Sequence, residues 1–154
     1  MIIRKAKPKD ILEVARLSYD SAIFHKRLTP YYDVDKNAQK ILEESLAKNM
    51  KSSNGRIFVA EENDNIIGYL LAFKINREEM FKIKKAGLIA DIFISEDFRK
   101  IGTGEGLVKE CFNWFKENGI SFVEISVEVS NSGALKFWDK MEFKDVCVLK
   151  YKKI

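Results

Sequence analysis

The chain is poor in proline (two residues), cysteine (two) and histidine (one) among its 154 residues. With 46% hydrophobic and 32% charged residues, so little proline excludes both a disordered chain and a collagen-like repeat. Cys111 and Cys147 form no CxxC pair, and the lone His25 excludes a histidine-based zinc site, so no metal is expected. No stretch free of Asp, Glu, Lys and Arg approaches the ~18 apolar residues of a membrane span. The opening residues turn charged at Arg4 and Lys5 and hold no signal-peptide core. The expectation is one soluble, cytoplasmic, metal-free domain over residues 1–154, a length near the modal size of a single domain.

Neither sign of charge dominates. Lys and Arg number 27 against 23 Asp and Glu, a net +4, and both signs interleave along nearly the whole chain. That pattern fits an ordinary solvated surface, with neither a membrane nor a nucleic acid as partner. A nucleic-acid binder concentrates its basic residues in one stripe with aromatics between them. Two short basic clusters, Lys82–Lys85 and Lys150–Lys153, read as an exposed turn and a frayed end. The small positive excess suits a phosphorylated small ligand.

Apolar spacing divides the chain into ten elements. Ile2–Ala6 opens as a strand. Pro8 then starts a helix, with Ile11, Val14, Ala15, Leu17, Ala22 and Ile23 on one stripe. Thr29–Tyr32 breaks it, and a second helix from about Asp35 carries Ala38, Ile41, Leu42, Leu46 and Ala47. A hairpin comes next, residues 56–60 and 66–73, around the polar turn Glu62–Asn65. Leu88–Ile94 is apolar almost throughout, which predicts a central strand covered on both faces, with Asp91 as its one carboxylate. After the loop Ser95–Thr103, a helix carries Leu107, Val108, Cys111, Phe112 and Phe115, and Asn118-Gly119 closes it. Cys111 on that stripe reads as core and not as a nucleophile. Phe122–Val129 alternates strictly between polar and apolar, a helix spans Ser132–Met141, and Lys144–Tyr151 is the last strand. The order β-α-α-β-β-β-α-β-α-β predicts an α/β (α+β) domain: a mixed, mostly antiparallel central sheet with helices on both faces.

The chemistry lies after Ile94. Three of the eight glycines, Gly102, Gly104 and Gly106, fall within five residues between a strand and a helix. Small residues there let backbone N–H groups converge on an anion with the helix's positive end behind them. Arg99 adds a charge at the loop's entry. A Walker loop needs Gly-Lys-Ser/Thr, which is absent, and a G-x-G-x-x-G dinucleotide fingerprint needs glycine where Leu107 stands. The segment Asp91–Gly104 resembles the acetyl-CoA motif of the GCN5-related N-acetyltransferases (the GNAT superfamily), R/Q-x-x-G-x-G/A after the fourth strand. Asn131, Ala134, Phe137 and Phe143 partly match that superfamily's second motif, N-x-x-A-x-x-[LF]-Y-x-x-x-G-F. The element order is also the superfamily's.

The resemblance implies a GNAT-like fold and an acetyl-CoA-dependent N-acetyltransferase. Acetyl-CoA is then the co-substrate and a small-molecule or peptide amine the acceptor, with a homodimer left open. It implies direct attack by a neutral primary amine on the acetyl carbonyl, with CoA as leaving group and no covalent acetyl-enzyme. Backbone groups of Phe93 and Ile94 would bind the pantetheine arm as an added strand. Arg99, Lys100, Ile101, Gly102, Thr103, Gly104 and Glu105 would hold the pyrophosphate. Asn131 and Trp138 would lie near the cofactor's reactive end.

Several positions depart from the superfamily's pattern. Trp138 stands where many relatives place a tyrosine thought to protonate the departing thiolate. An indole N–H does not usefully give up its proton, although a thiol of pKa ~8.5 leaves fairly well as its anion. Glu142 replaces the usual glycine before Phe143, and Ala90 replaces a common fourth-strand glutamate. Asp91 and Glu128 are therefore the candidate catalytic bases, directly or through a water chain. His25, Tyr31 and Tyr32 lie in the connection that borders the acceptor site in this superfamily, where aromatic rings would line an amine pocket by cation–π contact. Because Trp138 and Ala90 both depart from the pattern, the alternative is a non-catalytic acyl-CoA-binding or sensor module of the same fold.

Overall fold

In the computed structural model, which describes residues 1–154, five strands form one sheet in sequence order. They are β1 (Ile2–Lys5), β2 (Gly55–Glu62), β3 (Asn65–Asn76), β4 (Lys85–Ile94) and β5 (Val123–Ile125). The helices are α1 (Ile11–Leu28), α2 (Ala38–Lys51), α3 (Thr103–Glu117) and α4 (Ser132–Lys140). β1 to β4 pair antiparallel with their neighbours, and β5 runs parallel to β4. This is the mixed sheet that the element order predicts. No helix is long and apolar enough to cross a membrane.

Strand alternation sorts the side chains into two layers. Ile57, Val59 and Tyr69 pack with Val14, Ala15, Leu17 and Leu46 of α1 and α2. Phe58, Ala60, Leu70 and Ala72 face the other way, onto Leu107, Val108, Cys111 and Phe115 of α3. Cys111 is fully buried, and burial pushes its thiol up to about 12, as suits an inert core residue. Arg4 of β1 grips Asp10, ahead of α1, through two guanidinium nitrogens at 2.7 and 3.0 Å, and Glu61 of β2 at 2.6 Å.

Two helices stop in the same way. After α3, Gly119 takes a left-handed φ of 70°; its N–H donates to Lys116 O, and that of Ile120 to Phe115 O. After α4 the left-handed residue is Glu142, at φ 63°. Its N–H donates to Asp139 O at 2.9 Å and that of Phe143 to Trp138 O at 3.0 Å. Both are Schellman ends, and the Phe143 and Trp138 rings, 4.9 Å apart, supply the accompanying apolar contact. The turn before Phe143 thus keeps a glycine's geometry with glutamate in place.

Two predicted strands are corrected. Of Phe122–Val129 only Val123–Ile125 pairs, and Lys144–Tyr151 forms no strand, leaving Val146, Val148, Leu149 and Tyr151 exposed. β4 is also less covered than predicted: Ala90 is exposed, and Asp91–Ile94 are half-buried. These differences share one cause. Leu71 of β3 opposes Asp91 while Ala72 opposes Ile89, so Ala90 is the extra residue of a β-bulge. The bulge inverts the alternation, placing Ile89, Ile92 and Ile94 in the α3 layer and Phe93 in the α1 layer. Pairing with β5 ends at Ile89, so Ser126–Val129 have no strand beside them. A three-residue β5 is in turn too short an edge to pair with Lys144–Tyr151.

Candidate functional site

Beyond Ile89 the outer edge of β4 is open. The Phe93 carbonyl turns towards β3, 3.0 Å from where a Cβ on Gly68 would stand. The Ile94 carbonyl faces the open edge, where Arg99 Nε donates to it at 2.8 Å. Alternate residues of a strand share an edge, so Ile92 joins Ile94 there. Of the two residues named for the pantetheine arm, Ile94 is at the edge and Phe93 is not. Ile92 is the second residue facing that edge, and a bulge-shifted parity left no trace of it in an apolar run.

A turn at Glu96–Phe98 leads into the glycine loop. Arg99 lies over the Phe93 ring at 5.3 Å, and Lys100 and Gly102 take left-handed φ values of 63° and 90°. From Ile101 to Glu105 no backbone N–H has an acceptor in the protein; the first that does is Gly106, donating to Gly102 O at 3.0 Å. Five free amides at the positive end of a 15-residue helix make an anion cradle. A Cβ on Gly102 would meet nothing within 4 Å, so the space beside it is open. Gly104 differs: a Cβ there would stand 3.1 Å from Ile94 and 3.3 Å from the Phe137 ring, so its smallness serves packing. Thr103 is buried with its hydroxyl donating to Phe98 O at 3.0 Å, which leaves only its N–H for a ligand. Glu105 is held by Lys140 of α4 at 2.5 Å.

The Asp91 carboxyl points away from this loop, into the α1 layer. Tyr69 O–H donates to one of its oxygens and Ser21 Oγ to the other, the latter at 3.3 Å. Burial, the largest influence, pushes the carboxyl up; the Tyr69 hydrogen bond, the nearby His25 charge and Ser21 pull the other way. Burial and the Asp91 charge hold the Tyr69 phenol well above its usual range, so it stays a donor. Glu128 lies past the end of β5, half-buried, accepting from Ser130 Oγ at 3.2 Å, and no hydrogen bond joins it to Asp91.

The remaining predicted residues divide between site and scaffold. Asn131 Oδ1 caps α4, accepting from Ala134 N–H at 3.1 Å. Trp138 is 4% exposed, its ring edge-on to Phe137 and Phe143, and belongs to the apolar layer under α4. His25, Tyr32 and Tyr31 form a chain of edge-on rings, at 5.9 and 5.3 Å, with both tyrosines exposed. Tyr151 joins them, stacked on Tyr31 at 4.7 Å, from a position no local pattern links to it. A cleft of about 340 Å³ has Asp20, Phe24 and Arg27 of α1 on one wall and Phe93, Glu96 and Arg99 on the other.

A profile of the Acetyltransferase (GNAT) family matches residues 20–143. An uncharacterised N-acetyltransferase of Methanocaldococcus jannaschii is 31% identical over 101 residues, covering 66% of this chain and 44% of that protein. An N-alpha-acetyltransferase of Sulfurisphaera tokodaii is 29% identical over 110 residues, covering 68% of this chain and 65% of the relative. The chain therefore spans between 44% and 65% of the length of these two relatives. In three dimensions it resembles a predicted acetyltransferase of Clostridium acetobutylicum solved with acetyl-CoA, with a TM-score of 0.79 at 19% identity over 99% of this chain and 95% of that one. Open strand edge, bulge and glycine loop all fall inside the matched residues, and the chain belongs to the GNAT acetyltransferase family.

Proposed function

We propose that the chain is a cytoplasmic, acetyl-CoA-dependent N-acetyltransferase acting on a primary amine, with the α-amino group of a peptide as the first acceptor to test. The observation that carries the reading is the row of unpartnered amides from Ile101 to Glu105 beside the open edge of β4. Their number and direction suit a pyrophosphate, and the edge suits an amide-bearing arm. The name of the Sulfurisphaera relative supports the peptide α-amine.

Bound acetyl-CoA supplies the acetyl group: the acceptor nitrogen bonds to the acetyl carbon, the C–S bond breaks, and CoA leaves as thiolate. The chain's own part is positioning and proton removal. Gly102 gives the phosphates room, and the amides and Arg99 neutralise their charge. Ile92 and Ile94 align the arm. Asp91 takes the acceptor's proton through Ser21 or a water path, with Glu128 as the more open second base. Trp138 anchors α4 in the apolar core and moves no proton. Thiol release from acetyl-CoA across a panel of α-amino and lysine-like amines tests the reading. Acceptor-dependent release is the expected result. Tight acetyl-CoA binding without release from any amine would favour the alternative, a non-catalytic acyl-CoA-binding module, prompted by Trp138 and Ala90 in place of the family's tyrosine and glutamate.

A further inference from the structure

Charge that looks evenly spread along the sequence is not evenly spread in space. Tyr151 stacks on Tyr31, and its hydroxyl lies 3.0 Å from Thr29 Oγ1, which fastens residues 150–153 against the end of α1. Residues 25–36 and 150–153 together hold Lys26, Arg27, Lys36, Lys150, Lys152 and Lys153 but only Asp33 and Asp35. That is six of the 27 basic and two of the 23 acidic residues, leaving 21 of each elsewhere, so the two segments that Tyr151 joins carry the whole +4 excess. Its acids are also engaged: Asp33 pairs with Lys26 at 2.6 Å, and Asp35 accepts the Asn37 N–H at 2.7 Å. Arg27 and the three lysines after residue 149 have no ion-pair partner in the protein. The corner adjoins His25 and Tyr32, and Arg27 reaches into the cleft beside β4.

We propose that this corner selects the acceptor: a peptide with carboxylate side chains just after its α-amino group docks on Arg27, Lys150, Lys152 and Lys153, which the Tyr151–Tyr31 stack holds in place. The inference rests on the N-acetyltransferase reading above and names its substrate class. Each exposed pair contributes little by itself, but several cations brought to one end of α1 add, and they also steer the encounter.

The test uses labelled peptides that share a first residue and continue with acidic, neutral or basic residues. Anisotropy reports docking and thiol release reports transfer. The acidic peptide should bind about tenfold more tightly than the neutral one at low salt, and added salt should close the gap by screening exposed charges. Lys150→Gln, Lys152→Gln and Lys153→Gln together should remove most of the preference, and the corresponding glutamate variant should reverse it. Tyr151→Ala should weaken the preference with every lysine still present, because the segment is no longer fastened, whereas Tyr151→Phe keeps the stack and most of the effect. Equal binding of the three peptides, or a preference that survives both triple variants, overturns the proposal. Charge-selective docking without thiol release leaves this surface standing and removes the transferase reading. Turnover indifferent to peptide charge does the reverse.

Discussion

Glu142 sits where a left-handed backbone disfavours any side chain, at a cost of about 1–2 kcal/mol. Glycine there would relieve that strain while loosening the unfolded chain by about 0.4–1 kcal/mol. Glu142→Gly should therefore raise stability by up to about 1 kcal/mol in urea unfolding, with the Phe143-to-Trp138 hydrogen bond kept. A loss of stability would mean that the glutamate side chain contributes something its exposed position does not suggest. Asp91 carries strain of another kind. Its folded pKa is raised by burial, so its contribution to stability is full below the unfolded value of ~3.9 and is lost as pH rises through the folded value. Asp91→Asn should thus gain Tm relative to the native chain as pH rises from ~3.9 through the folded value, and gain no more above it. If Asp91 is also the base, the same variant loses rate with lysine-like amines (pKa ~10.4) more than with α-amines (~7.7–8.0). A variant that keeps full rates with every amine removes Asp91 from the mechanism.

At the scale of elements, the glycine loop and the α4 layer separate two effects that the motif alone runs together. Gly102→Val places a side chain in the open space beside the amides and forces a β-branched residue into φ 90°. It should weaken acetyl-CoA binding tenfold or more, about 1.4 kcal/mol, by calorimetry. Gly104→Val instead drives methyls into Ile94 and Phe137. Its main effect should be about 1–3 kcal/mol of lost stability, as overpacking costs. Trp138 behaves like the second case. Trp138→Ala should cost about 3–5 kcal/mol as a buried aromatic, while Trp138→Phe should change kcat/KM by less than about tenfold, below the ~10²–10⁴ of a lost acid. Abolished turnover in a stable Trp138→Phe protein, with acetyl-CoA affinity unchanged, contradicts this assignment.

At the scale of the whole molecule, Arg4, Asp10 and Glu61 tie the edge strand to α1 and β2. Asp10 is 4% exposed, and the Arg4 guanidinium, against burial, holds its carboxyl below the usual range. Removing it leaves a largely buried guanidinium short of a partner, so Asp10→Ala should cost about 3 kcal/mol. With a depressed folded pKa, this contribution is complete above ~3.9 and disappears as pH falls through the folded value. The gap in Tm between the two proteins should therefore narrow in acid. A gap that does not change with pH would assign the loss to packing instead.

The fold and the glycine loop were legible in the sequence because both depend on local pattern. Hydrophobic spacing places α1 to α4 and β1 to β4, and glycine at 102 and 119 marks positions where backbone geometry excludes most side chains. Tertiary structure decided the arrangement beyond Ile89. One extra residue at Ala90 inverted the faces of β4, opened its edge and removed the neighbours of Ser126–Val129, whose alternation was sound. Alternation states which face a residue offers and not whether a partner strand is there. The same limit hid Ile92 at the open edge, the close packing around Gly104 and Trp138, and the stacking of Tyr151 on Tyr31. Residues distant along the chain meet only once the sheet's twist and bulges have fixed where each element ends.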